Sequence, residues 1–172
     1  MERILWKDKG YIKISINGKE LMDLCTYVSV GTIKNGKVKI SIYTRGGGAV
    51  VSLKGMFIEC RYIGAIFGLS GMSTRKVIDM SHMFQGCENL THLSDTCKWD
   101  TSNVTNMKAM FFRCYRLRSV RNVHTWDTRK VDNMERMFYD CRSLGTFGVS
   151  KLGNEKTIKK EIFKIDKDKD KD

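Results

Sequence analysis

"WDTSNVTNMKAMFFRC", Trp99 to Cys114, is answered 27 residues later by "WDTRKVDNMERMFYDC", Trp126 to Cys141. The same step, applied to the middle of the chain, superposes Cys60, Cys87, Cys114 and Cys141. It also carries Met56-Phe57 onto Met83-Phe84, Met110-Phe111 and Met137-Phe138. Ile63, Leu90, Leu117 and Leu144 form another column, and Ile66, Leu93, Val120 and Phe147 a further one. Val50, Val77, Val104 and Val131 keep register, as do Leu53, Met80, Met107 and Met134. An apolar pattern that recurs at a fixed step in the twenties marks one supersecondary unit per coil, each burying its apolar edge against its neighbours.

Within the unit, "C-x-x-L-x-x-L" leads into a short strand, Leu90 to Ser94 and Leu117 to Arg121, and these strands are expected to stack as a parallel sheet. Met107, Met110 and Phe111 stand at helical spacing, which predicts one or two helical turns on the opposite face. Asp100 and Asp127 in the "WDT" corners are placed to accept backbone N–H groups as Asx-turns or N-caps, assisted by Thr101 and Thr128. Asn106, Asn133 and Asp79 share a column and are expected to form a polar ladder. A hard cation needs six to eight converging oxygens. Each repeat offers few, so the Asp-Thr-Asn motif reads as turn chemistry and not as a calcium site.

The unit W-D-T-x-x-V-x-N-M-x-x-M-F-x-x-C-x-x-L-x-x-L resembles the repeats of the BspA-like leucine-rich-repeat family, in the variant found in mycoplasma-type surface lipoproteins. Residues 99 to 147 match it closely. Residues 50 to 98 match it loosely, with Met72 where Trp is expected. The resemblance implies an α/β solenoid of leucine-rich-repeat type, about four 27-residue coils of short parallel strands and short helices. It further implies adhesion or binding at a cell surface, with no catalytic residues to carry over.

The six cysteines allow a disulfide framework on number alone. Bridging neighbours, however, would pull thiols out of a column that buries small apolar side chains. Zinc would want Cys-x-x-Cys pairs, and there are none. Cys60, Cys87, Cys114 and Cys141 therefore read as a reduced structural ladder of small hydrophobes, with Cys25 and Cys97 off it.

The ends differ from the middle. Residues 1–46 alternate apolar and polar positions, Ile12, Ile14 and Ile16 in one run and Val38, Ile40 and Ile42 in another. Asn17-Gly18 and Asn35-Gly36 are hairpin signals. This predicts an N-terminal antiparallel β cap, with the solenoid over 47–148. The glycine cluster in "YTRGGGAV", Tyr43 to Val50, lacks the Lys-Ser/Thr of a phosphate-binding loop and reads as a joint. Residues 149–165 place Ile158, Ile162 and Ile165 on one side of an amphipathic capping segment. A lysine-rich segment contacting membrane or a partner groove is the competing reading. The charged tail, 166–172, is expected to be disordered.

The net charge of +12 favours acidic partners. No apolar run is long enough to span a bilayer, and "MERILWKDKGYIK" is too interrupted for a secretory signal. A soluble chain, intracellular or virion-associated, is thus set against the surface location that the family implies. His82, His92 and His124 fall in different columns, and no nucleophile-base set or paired carboxylates can be pointed to, so an enzyme is not expected. No cofactor or metal is expected either. The expected function is a non-enzymatic module that binds a protein or glycan, acidic in character, through its strand face. Its candidate partner-binding residues are Arg113, Arg116, Arg118, Arg121 and Arg142, suited to carboxylate, sulfate or phosphate. The alternative is a basic accessory protein that binds nucleic acid or an anionic membrane. No aromatic residues are read as interleaved with these arginines for single-stranded nucleic acid.

Overall fold

The computed structural model describes residues 4–6, 10–12, 15–16, 19–20, 26–33, 37–44, 50–67, 69, 73–93 and 96–145. Cys25, the Gly46–Gly48 cluster, Phe147, the 149–165 segment and the 166–172 tail lie outside the described residues.

Parallel pairing follows the 27-residue step. Strands β1 (Ile4–Trp6) and β2 (Gly10–Ile12) pair antiparallel, as do β3 (Ser15–Ile16) and β4 (Lys19–Glu20), which flank Asn17-Gly18 in the sequence. The longer pair, β5 (Thr26–Ile33) and β6 (Lys37–Thr44), is also antiparallel. From β6 onward the sheet turns parallel: β7 (Ala65–Phe67), β8 (His92–Leu93) and β9 (Ser119–Val120) follow in the order β5-β6-β7-β8-β9. The register sets Val38, Ile66, Leu93 and Val120 in one row. β8 and β9 have two residues each, shorter than the strands expected at Leu90 to Ser94 and Leu117 to Arg121. A second parallel row joins the repeats elsewhere on the coil, through the bridges Ser52↔Asp79, Asp79↔Asn106 and Asn106↔Asn133.

The Met-Phe segment differs from expectation. It forms no helix; residues 54–59, 81–86, 108–113 and 135–140 are runs of tight turns, and 3-10 turns stand elsewhere on the chain, at Thr96–Lys98 and Val123–Thr125. The reason lies in where the N–H groups go. In the third coil, Met110, Phe112 and Cys114 donate to the carbonyls of Met107, Ala109 and Phe111, three residues back. The N–H groups between them, on Met107, Ala109, Phe111 and Arg113, donate to Asn133, Glu135, Met137 and Tyr139 of the next coil at 2.8–2.9 Å. An α-helix would keep every N–H inside its own segment; here every second one holds the neighbour.

The first and last tight turns of each run have left-handed backbone at their third residue. Two columns supply it: Gly55, His82, Ala109 and Arg136, and Glu59, Gly86, Arg113 and Asp140, with φ between 51° and 71°. Glycine takes this conformation without a Cβ penalty, whereas the other residues adopt it at a cost of roughly 1–2 kcal/mol each.

The apolar columns converge inside the stack. Phe57, Phe84, Phe111 and Phe138 are buried and stacked face to face, with centroids 5.3, 5.3 and 5.1 Å apart and planes within 8°. Met107 and Met110 are fully buried beside them, so the residues at helical spacing do point inward although the backbone that carries them is not helical. Trp99 and Trp126 stack at 5.7 Å on another side of the coil.

Candidate binding surface

Much of the polar chemistry of the repeat is consumed by hydrogen bonds within and between coils. Asp79, Asn106 and Asn133 accept the N–H two residues on, at Ser81, Lys108 and Glu135 (2.8–3.0 Å), which are Asx-turns leading into each turn run. Ser52 does the same for Lys54. In the corners, Asp100 accepts from the Ser102 amide and hydroxyl, and Asp127 from the Arg129 amide and guanidinium. These bonds hold Asp100 below the usual carboxylate range and bring Asp127 down to about 2. The Thr74 and Thr101 hydroxyls donate to the Asp100 and Asp127 carbonyls one coil later. The Trp99 and Trp126 indoles donate to Leu69 and Thr96 one coil earlier, both at 3.3 Å.

The cysteine ladder is more than apolar filling. The thiols of Cys87, Cys114 and Cys141 donate to the carbonyls of Phe57, Phe84 and Phe111 at 3.0–3.1 Å. Each of those carbonyls already accepts the N–H of the Cys in its own coil, and a carbonyl has two lone pairs for the two bonds. Cys60, Cys87, Cys97, Cys114 and Cys141 are free thiols. Burial, with Glu59 adding to it, pushes Cys60 up to about 12, and burial drives Cys87 and Cys114 well above the ordinary thiol range. Thiolate, the reactive form, is thereby suppressed. Cys97 is exposed on the 3-10 turn Thr96–Lys98.

The histidines have separate surroundings. His82 Nδ1 meets Gln85 Oε1 at 2.6 Å, His92 Nδ1 meets Thr91 Oγ1 at 2.9 Å, and His124 is exposed on Val123–Thr125. Among the described residues no three His, Cys, Asp or Glu side chains are grouped as metal donors, and no helix is long and apolar enough to cross a membrane.

The surface is where the repeats diverge. Arg113 ends the third turn run, Arg116 sits in the corner after it, and Arg118 and Arg121 bracket β9; all four are exposed. Arg142, one coil later, is exposed but pairs with Asp140 at 2.7 Å. The five arginines are thus not a single row on the strand face; they run round the edge of the third coil, with Arg142 beside it in the fourth. Other surface cations also have carboxylates: Arg61 with Glu59 (2.8 Å), Lys108 with Glu135 (2.7 Å) and Arg129 with Asp127 (2.7 Å). Among the described residues no ion pair joins a carboxylate to Arg113, Arg116, Arg118 or Arg121.

Aromatic residues stand beside these arginines as supports for guanidinium groups. Phe112 and Tyr139 stack at 5.0 Å; the Arg113 guanidinium lies 5.1 Å from the Phe112 centroid and that of Arg136 5.7 Å from Tyr139. Arg142 lies 5.0 Å from the Tyr115 ring. The signal was present in the 27-residue step, since 112 and 139 share a column. The earlier members of that column, Ile58 and Gln85, are not aromatic.

A stack of parallel-paired 27-residue units, with a half-buried polar ladder and a charged edge, defines a repeat protein. The chain belongs to the family described as Mycoplasma protein of unknown function, DUF285, whose model matches residues 51–169. No curated protein and no solved structure matches it significantly.

Proposed function

We propose that the chain is a non-enzymatic binding module, a leucine-rich-repeat-type solenoid of the BspA-like kind, displayed at a cell surface and engaging an acidic protein or glycan. The observation that carries this reading is the group Arg116, Arg118 and Arg121: exposed on one coil, and joined to no carboxylate among the described residues. The polar groups of the repeat are committed to its turns and to the joins between coils, so the residues free to differ between coils are those at the edge. Exposed arginines cost little as they stand and gain most when an oxyanion takes the guanidinium fork in two parallel bonds.

Retention on a heparin matrix over a salt gradient tests the site. Changing Arg116, Arg118 and Arg121 together to Gln moves elution to clearly lower salt; unchanged retention removes the assignment. The net charge of +12 favours the second reading, a nucleic-acid or anionic-membrane binder. Filter binding to duplex DNA over a salt series separates the two, because phosphate contacts impose a steep negative slope of log K on log salt.

A further inference from the structure

The run of basic residues uninterrupted by acid lies on one coil. Between Lys108 and Trp126 the chain carries Lys108, Arg113, Arg116, Arg118 and Arg121 and no Asp or Glu. One step away in the second coil, the positions equivalent to Arg113, Arg116 and Arg118 are Gly86, Asn89 and Thr91; in the fourth they are Asp140, Ser143 and Gly145. At these positions positive charge does not continue along the stack, and Arg142, which reaches Tyr115 from the fourth coil, is paired with Asp140. The run follows the edge of a single coil, at right angles to the direction in which the coils repeat.

The belt is short. Eight residues separate Arg113 from Arg121, so even a fully extended chain spans no more than about 28 Å between them. Its two ends differ in stiffness. Arg113 is laid against Phe112, which is itself fixed on Tyr139, and the neighbouring Tyr115 carries Arg142. A guanidinium resting on a ring gives up less freedom when it binds. The described aromatic rings beside the belt thus hold cations. Single-stranded nucleic acid uses such rings differently, as faces on which bases stack.

We propose that Arg113, Arg116, Arg118 and Arg121 form one transverse site for a short sulfated oligosaccharide segment, crossing the stack rather than running along it, with Arg113 as its preorganised anchor on Phe112. The proposal rests on the binding-module reading and gives it a ligand class and a direction.

The test titrates the full chain with a heparin octasaccharide by calorimetry between 50 and 300 mM NaCl, with a 20-nucleotide oligo-dT of matched charge as comparator. With roughly 0.7 counterions released per contact on a flexible polyanion, four arginines give a slope of log K on log salt of about −3. Arg113→Gln and Arg118→Gln each reduce its magnitude by about 0.7, while Arg129→Gln, paired with Asp127 off the belt, leaves it unchanged. Phe112→Leu removes the ring and no charge; it weakens binding several-fold with the slope intact, and circular dichroism checks that the variant remains folded. Binding of the octasaccharide that is indifferent to Arg113→Gln and Arg118→Gln overturns the belt while leaving the module reading standing. Tighter binding of the oligo-dT than of the octasaccharide overturns the ligand class. Binding of neither probe overturns the belt, and the module reading is then judged on acidic protein partners alone.

Discussion

Phe111→Ala is the most informative single change in the stack. The side chain is fully buried and lies between two parallel rings, Phe84 at 5.3 Å and Phe138 at 5.1 Å, so truncation opens a cavity and breaks two stacks at once. Buried Phe→Ala substitutions cost about 3–5 kcal/mol. Coils locked through alternate N–H groups cannot easily collapse into the gap, which places the expected loss near the upper end, about 4–5 kcal/mol. For a chain of this length that is a fall in Tm of roughly 8–20 °C. Phe111→Leu restores most of the volume and none of the stacking, with an expected cost of about 1–2 kcal/mol. Urea unfolding, followed by tryptophan emission and by far-ultraviolet circular dichroism, measures both; coincident curves license a two-state treatment. A loss below about 1.5 kcal/mol for Phe111→Ala, or one no larger than for Phe111→Leu, refutes the continuous ring stack.

Ala109→Gly separates turns from helix: in a helix interior it costs about 1 kcal/mol, whereas at φ 51° it is expected to be neutral or stabilising by thermal melt. Brief iodoacetamide treatment of the native protein, read by mass spectrometry, labels Cys97 before the other described cysteines; Cys60, Cys87 and Cys114 react only after denaturation, and equal labelling of Cys87 and Cys97 contradicts the buried ladder. The Asp127 carboxyl titrates near pH 2 by carbon NMR, and Arg129→Gln moves it up toward the ordinary value of about 3.9. Because the folded pKa is the lower one, the stability it contributes is present above about pH 4 and is lost as pH falls through about 2.

The register of the stack was legible in the sequence because every coil repeats the same inward residues at the same step. Cys87, Phe84 and Met80 could be assigned to the interior without coordinates for that reason. The path of the backbone was not legible. Met107, Met110 and Phe111 report which side is buried, and two linked tight turns bury the same three positions as a turn of helix. A discriminating signal did exist in Gly55 and Gly86, each standing in a column that the coils hold at positive φ. The hydrogen bonds of the cysteine thiols and the Trp indoles were also hidden, because their acceptors are main-chain carbonyls that any sequence possesses. The edge was only half legible. Arg113, Arg116, Arg118 and Arg121 could be picked out as basic, but Phe112 and Tyr139 become neighbours only once the coils are stacked.

The turn runs have an electrical consequence. In each of the first three coils four N–H groups of the turn run, on alternate residues, point toward the next coil. Peptide groups aligned in that way sum as they do in a helix. Here they sum along the stack instead of along the chain. This side of the molecule therefore carries a macrodipole whose positive pole faces the fourth coil, where Glu135 and Asp140 stand, and whose negative pole faces the first, where Lys54 and Arg61 stand.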